Sequence, residues 1–167
     1  DDLLTNSTNY TIKITLPKYY YLSSNLYEYK TSKGAQNEYL LVGKKKTEVL
    51  LNIDIINNFK SFKTKNIEIK TDLYNLSVDK NLSTDILNRQ VLFIKRFLGE
   101  YPHKELFVDK ASQAKNPIYG LNQLPKFLRP FPDVFEWDLT MLKAMSKKYI
   151  DNTLLLDRRE DYWLTDG

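Results

Sequence analysis

At 167 residues, with 42% hydrophobic and 28% charged side chains, the chain is long enough to bury a core and too apolar to be disordered. Its net charge of +4 arises from 25 basic residues dispersed among 21 acidic ones, so no electrostatic footprint for nucleic acid stands out. Cys is absent, which excludes disulfides and thiolate metal sites, and no run approaches the roughly 18 apolar residues needed to span a membrane. No signal peptide opens the chain, so a cytoplasmic protein and an exported one whose leader has been removed both fit. The 12 Tyr and 8 Phe, with abundant Asn and Lys, fit base-composition bias at least as readily as a carbohydrate or nucleic-acid platform.

The first half reads as strands. Tyr10, Ile12, Ile14 and Leu16 alternate with Thr11, Lys13 and Thr15, the period of a half-buried strand, and Pro17 ends it. Strands are expected at Leu26–Lys30, Glu38–Gly43, Glu48–Ile56 and Asn66–Thr71, with polar turns between them and the run Lys44-Lys45-Lys46 as a solvated turn. Short strands so joined imply an antiparallel sheet or sandwich edge. The three sequons, at Asn6, Asn75 and Asn81, match a pattern short enough to occur by chance in an Asn-rich chain.

Beyond about residue 80 the period changes to that of helices. Ser83 or Thr84 can cap a helix whose apolar face holds Leu87, Val91, Ile94 and Leu98, widened by Ile86, Phe93 and Phe97, and Gly99 is placed to close it. Glu105–Asp109 is a short strand, and the four prolines at 117, 125, 130 and 132 make the following stretch loop. Asp133 with Glu136 forms a capping-box-like start to a helix reaching about Tyr149, with Val134, Trp137, Met141 and Met145 on one face. Another helix is expected to begin near Arg159.

The catalytic inventory is thin. With one His, His103, an HExxH helix cannot be written, and a Ser-His-Asp triad would have only that residue as base. His103 follows Pro102 and precedes an apparent strand, where a surface or loop role is expected. Five Gly, at 34, 43, 99, 120 and 167, supply neither GxGxxG nor a P-loop. Carboxylate pairs such as Asp133 with Glu136 or Glu160 with Asp161 sit where helix starts commonly place acids.

The order of landmarks in "FLGEYPHKELFVDKASQAKNPIYGLNQLPKFLRP" resembles the zinc aminopeptidases related to aminopeptidase N. That family enters its catalytic domain through a helix, an "FGxYPxxKLxLV"-like segment, a GAMEN substrate loop, the HExxH helix and a "WLNEG" helix that carries the third zinc ligand. Here Phe97 to Pro102, then Lys104, Leu106 and Val108, resemble the first segment; Gly120-Leu121-Asn122-Gln123 stands where GAMEN would; and Trp163-Leu164-Thr165-Asp166-Gly167 is similar to "WLNEG". Upstream, "YTIKITLPKYYYLSSN" resembles the end of the family's N-terminal β-domain, so the likeness runs from Tyr10 to Gly167.

The resemblance implies an α+β chain: residues 1–80 as the end of a β-domain, an antiparallel sheet or sandwich segment, and residues 81–167 as the start of a helical, thermolysin-like gluzincin catalytic domain. Counting back through HExxH-x18-E from Asp166 places Lys147 and Lys143 at the two His positions and Ala144 at the catalytic Glu, with "KYIDN" over the family's "QWFGN". A second register, with Phe135-Glu136 over His-Glu, leaves Leu139 as second ligand and needs an insertion before Asp166. In either, the zinc ligands of the family are not retained, since a protonated ammonium has no lone pair for a metal. The GAMEN acid is replaced by Asn122 or Gln123, leaving Gly120, Asn122 and Gln123 as the implied substrate-binding positions. A Lys147–Asp166 salt bridge standing in for the metal is one implied consequence; two solvated lysines is the other.

Three readings follow. The chain is a degenerate, non-catalytic aminopeptidase-like protein or fragment with a peptide- or protein-binding or structural role; or a zinc aminopeptidase whose ligands are misassigned or completed outside it; or a plain β-rich interaction module. The ordered landmarks favour the first. The family's catalytic domain continues past its third ligand, so the chain is expected to be a piece of something larger and to self-associate through faces left open.

Overall fold

The alternation of Tyr10, Ile12, Ile14 and Leu16 is realised in strand β1 (Thr8–Pro17), whose inward residues are half-buried and whose intervening ones are exposed. In the computed structural model, residues 7–76, 78–111, 125, 128 and 132–153 are described. They divide into two compact units, the first running through Phe59 and the second spanning Lys60–Ile150.

In the first unit, β1, β3 (Tyr27–Lys33) and β4 (Gln36–Lys46) form an antiparallel sheet in the order β1-β4-β3, and β2 (Tyr21–Ser24) pairs antiparallel with β5 (Leu51–Asp54). The β3–β4 hairpin closes over Gly34 and Ala35; Gly34 has φ +56°, the positive value that a primed hairpin turn requires at its first loop position. Leu22, Leu26, Tyr39 and Leu41 form the core of this unit, flanked by the inner residues of β1. The "SSN" landmark has a structural task here. Asn25 is buried and bridges to the segment before β5, its side-chain amide donating to Glu48 O (2.9 Å) and its carbonyl accepting from Leu50 N (2.9 Å).

Three expectations change in this unit. The lysine run is not a solvated turn but the end of β4, and Lys46 is buried. Thr8 pairs with Lys46 and Tyr10 with Gly43, so β4 carries one residue more than β1 across this interval, a β-bulge in which Lys45 takes φ +50° and donates its N–H to Asn9 Oδ1 (3.0 Å). The extra residue reverses the parity of the strand, which turns Lys46 to the face that Leu41 and Gly43 share. The strand expected over Glu48–Ile56 is confined to β5, and β2 formed where no strand was expected.

In the second unit, β6 (Lys60–Lys63), also unexpected, pairs antiparallel with β7 (Glu68–Thr71), and β7 pairs in parallel with β8 (Glu105–Val108). A parallel pair needs a crossover, here α1 (Lys80–Leu98), and the pairing joins strands on both sides of the residue-80 boundary that the sequence suggested. The antiparallel expectation therefore holds for the first unit and for β6–β7 but not for β8.

Helix α1 starts one turn earlier than Ser83, with Asp79 as its cap: the carboxylate accepts from Asn81 N (2.9 Å), a stronger cap than a serine already inside the helix. Gly99 closes it, with φ +85° and its N–H on Lys95 O (3.0 Å). Ile86, Leu87, Val91 and Ile94 of α1 meet Ile69, Leu106 and Val108 of the sheet and Trp137, Met141 and Met145 of α2 (Asp133–Thr153) in one core. Each fully buried aliphatic side chain in it contributes about 1.5–3 kcal/mol over its exposed state.

Candidate functional site

Helix α2 carries the positions on which the metallopeptidase resemblance turns. Asp133 and Glu136 occupy its first turn, and Phe135 N donates to Pro132 O (2.9 Å), so the chain enters the helix directly from the proline-rich stretch. Its buried residues are Trp137, Met141, Ala144, Met145, Lys148 and Tyr149, a stripe at three- and four-residue spacing. Trp137 Nε1 donates to Leu73 O (3.2 Å), and Asp138 receives Arg89 Nη2 and Gln90 Nε2 from α1, which sets the rotation of α2 against α1.

With that rotation set, Lys143 is exposed, Lys147 is half-buried and Ala144 is 6% exposed among the core residues. Lys143 and Lys147 are one turn apart on α2, the i and i+4 spacing that the family's two His ligands would need. Protonated lysine ammonium groups have no lone pair for a metal, so these two side chains offer no zinc ligand at neutral pH. Among the described residues, no group of three His, Asp or Glu side chains is placed to hold a metal ion. Gly120, Asn122, Gln123 and Asp166, with the "WLTDG" segment and the proposed Lys147–Asp166 bridge, lie outside the described residues.

Lys148, which the sequence placed in the "KYIDN" match near the end of the helix, is 6% exposed. Its burial was readable in the spacing, since it stands three and four positions beyond Met145 and Ala144 on the same stripe.

The segment from Gly99 to Lys104, the most family-like stretch in the described chain, has a definite place. Its residues Glu100 to Lys104 wall a cavity of about 340 Å³ together with Lys65, Lys95 and Tyr149. His103 is half-buried in the loop before β8, and its ring meets Tyr101 edge-on at 5.5 Å, while Tyr101 lies 5.0 Å from Tyr149. Tyr149, 2% exposed, donates its hydroxyl to Gly99 O; burial, and then the charge of Glu100, raise its phenol above the ordinary range. Glu100 is held below the usual carboxylate range by its hydrogen bond and ion pair with Lys95. The Gly-Glu-Tyr-Pro landmark thus serves as a packed junction tying the end of α1 to α2, a role for which its Gly cap and its aromatic residue suffice.

No family model and no curated protein matches the chain. Among solved structures, a variant two-domain M1 zinc metallopeptidase bound to L-arginine and a variant M1 zinc metallopeptidase from Deinococcus radiodurans each match with a TM-score of 0.61 at 10% identity, over 98% of this chain and 39% of theirs. A variant two-domain M1 zinc metallopeptidase bound to L-tryptophan matches with a TM-score of 0.59 at 11% identity, over the same shares. The chain spans 39% of the length of these structures. Over that span it has the fold found in M1 zinc metallopeptidases.

Proposed function

We propose that this chain is a non-catalytic counterpart of the M1 metallopeptidases, with a zinc site lost by substitution and a role in binding peptide or protein. The observation that carries this reading is the set of residues on α2. Within an M1-like fold, Lys143 and Lys147 stand at helical ligand spacing, and Ala144, where the general base would be, belongs to the core. A site built this way has no lone pairs for zinc and no carboxylate to activate a water. On this reading, the helical part of the chain corresponds to the entry of a gluzincin-like catalytic domain. Gly120, Asn122 and Gln123 would contact a peptide backbone by hydrogen bonding, without the acid that recognises a free amine in the family.

Isothermal titration of zinc into metal-free protein at neutral pH tests the proposal. No binding is the expected result. Tight one-to-one binding would overturn it, and would mean that the ligands are other residues and that an aminopeptidase assay is the next experiment.

A further inference from the structure

The two edge strands of the sheet β1-β4-β3 carry different residues on their core side. Residues opposite one another in an antiparallel pair share a face, so on β3 Glu28, opposite the buried Leu41, and Lys30, opposite the buried Tyr39, point to the core side. Both are held there. Glu28 accepts Ser24 N (3.0 Å), and Lys30 Nζ lies 5.6 Å from the centroid of the Tyr39 ring. Inward-pointing charges blunt a sheet edge, because a strand added beside β3 would meet them on its own inner face.

The β1 edge has no such guard. Among the described residues β1 pairs with β4 alone, which leaves one side of its 10 residues with backbone groups directed away from the sheet. Its core-side residues are Tyr10, Ile12, Ile14 and Leu16, all apolar and only half-buried against the core of Leu22, Leu26, Tyr39 and Leu41. Its sole charge, Lys13, points to the opposite face and pairs with Glu38 (3.6 Å). A long edge strand with an uncharged, partly covered inner row is what strand addition completes.

We infer that β1 is an interface at which a second copy of this chain pairs antiparallel across a twofold axis, joining the two sheets into one. The sequence of β1 selects the register. An axis through Ile12 sets Ile12 against itself, Tyr10 against the partner's Ile14, and Thr11 against the partner's Lys13, so apolar residues meet on the core side and no like charges meet on the other. Moving the axis to Lys13 would oppose two ammonium groups, and moving it to Ile14 would bring in Pro17, which has no N–H to donate. This self-complementarity is what an isologous contact requires, and the guarded β3 edge closes the assembly at two copies. The inference is independent of the zinc-site reading, because it uses neither α2 nor the family.

Sedimentation equilibrium of the intact chain over about 1–100 µM tests it, with a reversible monomer–dimer equilibrium as the expected result. Thr11 is exposed and faces away from the core, so its substitution leaves the packing of the monomer alone. Thr11→Lys creates two like-charge pairs across the axis and should weaken dimerisation by about tenfold; Thr11→Glu creates two opposite-charge pairs and should strengthen it by about as much. Both effects should shrink in about 1 M salt. Tyr29→Lys, on the exposed face of β3, should change nothing. The inference is overturned if the parent stays monomeric over the whole range, whatever else the edge then binds, or if association continues past the dimer. It is equally overturned if both Thr11 variants associate as the parent does, or if Tyr29→Lys weakens association as Thr11→Lys does.

Discussion

Placing a carboxylate at residue 144, the general-base position in the proposed register, should damage this protein in a way that depends on pH. Ala144 is 6% exposed in the core with Trp137, Met141 and Met145, so Ala144→Glu introduces both bulk and a carboxyl group into packed apolar surroundings. Overpacking of this kind costs about 1–3 kcal/mol at any pH. The charge adds a second cost, because burial raises the folded-state pKa of a carboxyl group above its unfolded value. The sign follows from linkage: below the unfolded pKa, near 4.3, the group is neutral in both states and adds nothing, and as pH rises the unfolded state ionises first and the folded state loses stability. If the folded group stays protonated to neutrality, the extra loss reaches about 4 kcal/mol. Urea unfolding of parent and variant at about pH 4 and about pH 7 measures this as a difference of differences. Equal losses at the two pH values, or none, would show that residue 144 does not face the core. The assignment of the α2 positions would fall with it.

Other outcomes can be checked in the same way. Gly43→Ala sets a Cβ 2.5 Å from Leu26 Cδ2, a fully buried atom set, and should lower the denaturant midpoint by an amount equivalent to about 1–3 kcal/mol, with partial recovery when Leu26→Val is added. Asp79→Ala removes the α1 cap and should cost about 1 kcal/mol, seen as a lower melting temperature. Burial raises the Asp72 carboxyl above its ordinary range, so ionised Asp72 opposes folding; Asp72→Asn, which keeps an acceptor for Lys110 N (2.8 Å), should stabilise the protein at neutral pH, with the gain vanishing as pH falls below the unfolded pKa near 3.9.

The helical half was legible in detail because an amphipathic helix announces its buried face locally. Leu87, Val91 and Ile94 of α1, and Trp137, Met141 and Met145 of α2, lie where their spacing put them, whereas Leu98, Phe93 and Phe97, expected on the same face of α1, are exposed because the packed stripe is narrower than the apolar one. Gly99 likewise closes α1, since a positive φ suits a residue without a Cβ. The strands were legible as strands but not as partners. Nothing near Ile69 or Leu106 states that β7 and β8 run parallel, because pairing and direction are set by the crossover over residues 72–104, whose helix must bury its face on the sheet. The bulge at Lys45 was hidden for a similar reason: one extra residue opposite Asn9 is visible only once β1 and β4 are in register.

Composition by itself determined the narrowest point about chemistry. One His and no Cys leave HExxH unwritable in this chain, however it folds, because ligand identity is a property of residues and not of geometry. The tertiary structure decided how fully each residue beside that face is covered. The ties of Trp137 to Leu73 and of Asp138 to Arg89 and Gln90 fix the rotation of the helix, and with it the burial of Ala144 and Lys148 and the exposure of Lys143.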